Sequence, residues 1–285
     1  MSHLRNALFQ TRWSLRHYGL RTTLKSVLTH HRLPVPPSLS YPTHPFDLSP
    51  GSVSATPPDP YNQLDTSGFI PAHQLARGNS QSLNTTAYHA IPPSRFRSLM
   101  ARWIATPPIE PLSRYTFIDL GCGKGRAVLL ANQLPFLGIL GIELDPTLAR
   151  IAAQNLTHWQ HTQPHPLPPT RILCDDAAAV ALPGTPCVLY LYNPFHPTVV
   201  AQLLDHLRFT LGDKPAPLDI LYFTPAAGSL FAAHPCLQHL WTESIPISAA
   251  DAAAEPITDV QDLCSAYRWV GTSAKLSVTS PTNIS

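Results

Sequence analysis

From Tyr115 to Gly271 the chain repeats one pattern, a short apolar run followed by a stretch with helical periodicity. The runs Thr116–Leu120, Gly138–Glu143, Arg171–Cys174, Val188–Tyr192 and Leu218–Thr224 have the length of buried strands rather than of helices. Two more lie near Leu237–Ile245 and Cys264–Gly271. Helical stretches stand between them. One covers Arg126–Leu134; another is capped by Asp145, opens on Pro146 and puts Leu148, Ile151, Ala152, Leu156 and Trp159 on one face. A third, after the fourth run, aligns Val200, Leu203, Leu204, Leu207 and Leu211. Strands alternating with helices pair in parallel through right-handed crossovers. The expected fold is α/β, a doubly wound, mostly parallel seven-stranded sheet with an N-terminal helical or extended appendage.

That appendage has its own composition. Residues 1–33 place Leu4, Leu8, Leu15, Leu20, Leu24 and Leu28 at roughly helical spacing among arginines, a basic amphipathic arm. No acid occurs before Asp47, so Met1 to Phe46 carries six bases and a charge of +6, leaving 13 bases against 17 acids in the rest. Such an arm suits packing on the domain, or weak contact with nucleic acid or an anionic membrane surface. Prolines number 32 of 285, about 11% where roughly 5% is usual. Nine of them fall in 34–60, which reads as a linker because each lacks an amide donor. Residues 61–114 form a preamble or lid, 115–272 the main domain and 273–285 a tail.

Other classes are excluded by what the chain contains. Five cysteines with no CxxC pair suggest neither a disulfide framework nor a zinc site, and fit a reducing, cytoplasmic setting. The 14 histidines show no ligand spacing, so no metal is implied. The longest charge-free apolar stretch, Ala127–Ile142, is broken by Asn132, Gln133 and Pro135 and is too short to span a bilayer.

Chemistry enters where the first strand ends, in Asp119-Leu120-Gly121-Cys122-Gly123-Lys124-Gly125. Alternate glycines allow a tight turn and close approach to a ligand, and the following helix offers free amides at its start. The spacing is neither GxGxxG nor the GxxxxGK[ST] of a P-loop. Asp119 at the rim would repel a pyrophosphate and suits a cationic amino group. The second strand ends at Glu143, an acid placed to accept from both hydroxyls of a ribose. The third ends in Cys174-Asp175-Asp176-Ala177, where a carboxylate could accept from an adenine amino group. A ligand with an amine, a diol and an adenine is S-adenosylmethionine.

These segments resemble the class I (seven-strand, Rossmann-like) S-adenosylmethionine-dependent methyltransferases, over about Tyr115 to Thr224. DLGCGKG is similar to their first motif, GIELD to their second and CDDA to the segment at the adenine. The resemblance implies that Asp119, Gly121, Cys122 and Gly123 line the methionine end, with Gly125 of the same motif also at the cofactor, that Glu143 holds the ribose, that Leu144 packs on the adenine, and that Asp176 with the Ala177 amide reads its edge.

The fourth strand runs into Asn193-Pro194-Phe195-His196. This resembles the acceptor motif of amino-group methyltransferases, but it has one proline where the DNA-adenine enzymes have [DN]PP[YF], so a flipped base would meet a differently placed ring. It is more similar to the Asn-x-Phe of non-SET histone-lysine methyltransferases. Asp65-Thr66-Ser67-Gly68, Tyr88 and Pro92-Pro93 resemble an uncharacterised bacterial group related to those enzymes, with Tyr88 in the place of a cofactor lid. By this likeness Asn193 and the Pro194 carbonyl orient a nitrogen nucleophile, a protein lysine or similar amine, and Phe195 walls the site. Asn193-Pro194 also suits a plain strand-ending turn, and His196 suits a helix start at the surface. The alternatives are an RNA, DNA or small-molecule acceptor, or a regulatory module that binds the cofactor without catalysis. Nothing in the sequence sets an oligomeric state.

Overall fold

The computed structural model describes residues 44–47, 64–70, 72, 75, 86–107, 110–192, 195–223, 227–254 and 262–272. The arm at 1–33, most of 34–60 and the tail at 273–285 lie outside them. In chain order the strands are β1 (Phe69–Ile70), β2 (Tyr88–His89), β3 (Thr116–Leu120), β4 (Gly138–Glu143), β5 (Thr170–Cys174), β6 (Cys187–Tyr192), β7 (Leu218–Phe223), β8 (Leu237–Ser244) and β9 (Leu263–Trp269). The α-helices are α1 (Pro93–Ala105), α2 (Arg126–Ala131), α3 (Pro146–Thr162), α4 (Pro197–Leu211), α5 (Gly228–Ala233) and α6 (Ala249–Ala254).

Seven strands form one sheet in the order β5-β4-β3-β6-β7-β9-β8, and β1 and β2 pair separately. The pairs from β5 to β7 are parallel, whereas β9 runs antiparallel to both its neighbours. This is the doubly wound, mostly parallel sheet expected from the strand–helix alternation. The chain lays down β3, β4 and β5 outward on one side, then returns to place β6 on the other side of β3. The carboxyl ends of β3 and β6 therefore bound the switch point where such sheets bind ligands.

The apolar runs are continuous because the central strands are covered on both faces. Alternate residues divide between two cores. Phe117, Val188, Tyr190, Leu221 and Phe223 pack with Phe96, Leu99, Met100 and Trp103 of α1 and with Val128 of α2. Ile118, Leu120, Leu189, Leu191, Ile220 and Tyr222 pack against Val200, Leu203, Leu204 and Leu207 of α4. Burying each such aliphatic or aromatic side chain stabilises the fold by about 1.5–3 kcal/mol relative to leaving it exposed.

Element ends follow local chemistry. Asp145 accepts from the amides of Thr147 and Leu148 and caps α3, with Pro146 in the first turn, as its sequence predicts. Helix α2 stops at Ala131, three residues before the expected Leu134, and Gln133 and Leu134 close tighter turns on the carbonyls of Leu130 and Ala131. Within the proline-rich stretch, His44–Asp47 is described and packed in: Asp47 is fully buried, and Phe46 stacks on Trp159 with ring centroids 5.6 Å apart. Among the described residues no helix is long and apolar enough to cross a membrane.

Candidate functional site

The switch point opens into a cleft of about 960 Å³ counting its open mouth. Its floor is the turn after β3. Gly121, Gly123 and Gly125 adopt φ of 80°, 56° and 88°, and the amides of Gly121 and Cys122 both donate to Ile142 O at 2.9 Å. At Gly123 a side chain is excluded twice over: φ is left-handed, and an added Cβ would lie 2.3 Å from Cε2 of Tyr88. The Gly123 amide donates to Glu143 Oε2 at 2.7 Å, and the Asp145 amide donates to Glu143 Oε1 at 2.8 Å. The second strand's acid thus fixes the first strand's glycine turn.

Asp119, Gly121, Cys122, Gly123, Glu143, Leu144, Asp176, Ala177, Tyr88 and Phe195 all line this cleft. Gly125 stands behind it and caps α2, its amide donating to Cys122 O. Asp176 caps the short 3₁₀ turn Ala177–Ala179, accepting from the Ala178 amide at 2.9 Å. Asn193 and Pro194 lie outside the described residues. His196 is exposed, accepts from the Thr198 amide at the start of α4, and is not one of the cleft-lining residues, although Phe195 and Val199 on either side are. Among the described residues no group of His, Cys, Asp or Glu side chains could hold a metal ion.

The electrostatics are set by burial. Asp119 is 3% exposed and has no hydrogen-bond partner among the described residues; burial, reinforced by the Glu143 carboxylate, raises its pKa well above the carboxylate range. Burial also raises Glu143, opposed by the amides of Asp145 and Gly123 that bind its charged form. The Cys122 thiol is pushed far up by burial and then by Asp119 and Glu143, so it stays a neutral wall rather than a nucleophile. His89, also on the lining, is lowered to about 3 by burial and by the charges of Arg126 and Arg95.

The roof comes from the preamble. Tyr88 lies on Gly123 and donates its hydroxyl to Thr66 O at 2.6 Å. Lys124 donates to Asp65 Oδ1 at 2.6 Å and to Ser67 O at 2.9 Å. Arg126, 1% exposed, donates to Thr66 Oγ1 at 2.7 Å and Ser67 Oγ at 3.0 Å, and stands 3.9 Å from the equally buried Asp47, whose carboxylate accepts from Thr66 and Ser67. Asn155 of α3 exchanges hydrogen bonds with the backbone of Asp65. The motifs alone do not single out Lys124 and Arg126; their signal is two cations inside a glycine turn, facing an acid and two hydroxyls some sixty residues upstream. Nor do they single out His89, Tyr190 and Tyr192, because a strand reading Leu-Tyr-Leu-Tyr looks like core.

No protein-family model matches the chain, and no curated protein matches it. Solved structures resemble its fold. An S-adenosylmethionine-dependent methyltransferase from Clostridium acetobutylicum superimposes with a TM-score of 0.44 at 8% identity, over 64% of this chain and 93% of that one. Magnesium protoporphyrin IX methyltransferase from Synechocystis gives 0.42 at 12% identity, over 62% and 79%. Ribosomal protein L11 methylase from Lactobacillus delbrueckii gives 0.39 at 13%, over 61% and 77%.

Proposed function

We propose that the chain is an S-adenosylmethionine-dependent methyltransferase acting on a nitrogen nucleophile, a protein lysine or similar amine. One observation carries the cofactor reading. Acids at three successive strand tips, Asp119, Glu143 and Asp176, line a single cleft over a left-handed glycine turn at the switch point. They match a ligand with an amine at one end, a diol in the middle and an adenine at the other. The sulfonium methyl is already activated by its positive charge, so the protein's work is to align a lone pair with it.

The nitrogen reading is supported by the acceptor end of the cleft. An amine near its ordinary pKa of ~10.4 must shed a proton before it can attack. The burial and the paired charges of Arg95 and Arg126 that hold His89 neutral favour the unprotonated form of an amine brought beside it. Asn193 and Pro194 follow β6 directly and would orient that nitrogen, with Phe195 as a wall. The nearer likeness to non-SET lysine methyltransferases rests on this Tyr-Asn-Pro-Phe segment and on the preamble motifs.

The test is to incubate the full chain with methyl-labelled cofactor and fractionated lysate and to follow label into protein, nucleic acid or small molecules. Label in protein amines is expected. Label in RNA or DNA alone would replace the acceptor, and tight cofactor binding with no transfer would support a non-catalytic regulatory module. Asn193→Ala should keep cofactor affinity and lower turnover at least ~10-fold, the range of losses for positioning groups.

A further inference from the structure

Tyr190 has a buried hydroxyl with no hydrogen-bond partner among the described residues, and its residue lines the cleft. It is 1% exposed. Its ring is fixed by stacking on Phe117, with centroids 5.8 Å apart, and by the edges of Phe96 and Phe223. Asp119 and Tyr190 are register partners on neighbouring parallel strands. Side chains at paired positions rise from the same face of a sheet, so both belong to the α1 and α2 side. The Asp119 carboxyl is the first charge felt at the Tyr190 hydroxyl after burial itself. The buried Tyr190 hydroxyl costs ~1–3 kcal/mol unless a ligand completes it, and the Asp119 carboxyl stands on the same face of the sheet at the cleft lining.

The ligand group that satisfies both is narrow. An anion would be repelled by Asp119, and an apolar group would leave both unsatisfied. An ammonium supplies several donors and the charge that an ionised carboxylate calls for. An amine waiting to be methylated cannot be the one held there, because a protonated nitrogen has no lone pair. The ammonium that can stay charged throughout the reaction is the one on the cofactor's methionine end.

We propose that Tyr190 is a cofactor-binding residue whose hydroxyl, beside the Asp119 carboxylate, receives the α-ammonium of the methionine moiety. This rests on the methyltransferase reading above and adds a contact supplied by β6 instead of the glycine turn. On binding, Asp119 gives one proton to solvent, and the ammonium donates one N–H to the carboxylate and one to Tyr190 Oη.

Tyr190→Phe keeps the stacked ring and removes only the orphaned oxygen, so the variant folds with an unchanged or higher Tm. The full chain and this variant are titrated calorimetrically with S-adenosylhomocysteine and with its analogue lacking the α-amino group. The variant should bind S-adenosylhomocysteine about 10-fold more weakly and the deaminated analogue within about 2-fold of wild type. Equal affinity of variant and wild type for S-adenosylhomocysteine, or equal losses for both ligands, would overturn the role of Tyr190. A wild-type chain that binds neither ligand removes the cofactor reading itself, and the contact with it.

Discussion

The backbone amide of Gly123 donates to the carboxylate of Glu143 at 2.7 Å, so the turn after β3 and the tip of β4 are one unit before any ligand arrives. The other oxygen of Glu143 holds the Asp145 amide at the start of α3. One side chain therefore fixes the glycine turn and the helix start while facing the cleft where a ribose would lie.

Glu143→Ala should damage both roles. Loss of two charge-assisted hydrogen bonds lowers stability by roughly 2–4 kcal/mol, and S-adenosylhomocysteine affinity should fall at least ~10-fold. Thermal unfolding and calorimetry read the two separately. A destabilised variant with unchanged affinity would leave Glu143 a structural residue only.

Asp119→Asn should move stability and binding in opposite directions. The folded-state pKa of Asp119 is raised by burial, so the folded protein holds a proton that the unfolded chain releases above its ordinary carboxyl pKa. Stability contributed by this group is full below that unfolded value and is lost as pH climbs to the folded one. At neutral pH the Asn variant escapes the penalty and should melt higher, by ~2–4 °C for each kcal/mol relieved. The advantage should vanish on acidification below the unfolded pKa, while cofactor affinity drops at every pH. A lower Tm at pH 7.5 would contradict the assignment.

Gly123→Ala tests the contact with Tyr88. In the wild-type background the new methyl meets a ring carbon at 2.3 Å, on top of the cost of left-handed backbone, and cofactor binding should be lost. In a Tyr88→Ala background only the backbone cost remains, of the order of 1 kcal/mol. The double-mutant cycle should show favourable coupling above ~1 kcal/mol; additive effects would mean that the ring has room to move aside.

Arg126→Met should release the roof while sparing the sheet. Truncating this fully buried cation leaves Asp47 uncompensated, at a cost of roughly 3–5 kcal/mol. Limited proteolysis should then cut within residues 64–70 or 86–91 at protease levels that leave these segments of the wild type intact, and saturating S-adenosylhomocysteine should slow the cutting. Equal protection of both proteins would show that the preamble is held by other contacts.

The sheet was readable because parallel strands buried on both faces are written as unbroken apolar runs. Strands β3 to β7 fall within a residue of those runs. The glycine turn and the three acids are legible for a different reason: Asp119 and Glu143 stand in the last two residues of apolar runs, and Asp176 stands two residues beyond another. The roof was not. Its hold on the glycine turn is made of single pairs such as Arg126 with Thr66 and Lys124 with Asp65, about sixty residues apart, and no periodicity announces a pair. Tyr190 is not legible in the sequence because it differs from a core aromatic only in a hydroxyl with no partner among the described residues, a property of its surroundings.

The docking of the preamble onto Lys124, Arg126 and Asn155 has a consequence for the order of assembly. The residues that close the cleft leave the ribosome before the sheet, yet they have nothing to bind until β3, α2 and α3 are in place. A nascent chain can thus complete a stable sheet while its early segment still waits. The entropic toll of closing so long a loop grows only logarithmically with its length, so the late step is slow rather than forbidden. The cleft is therefore completed only when the preamble docks on the sheet and helices that carry Lys124, Arg126 and Asn155.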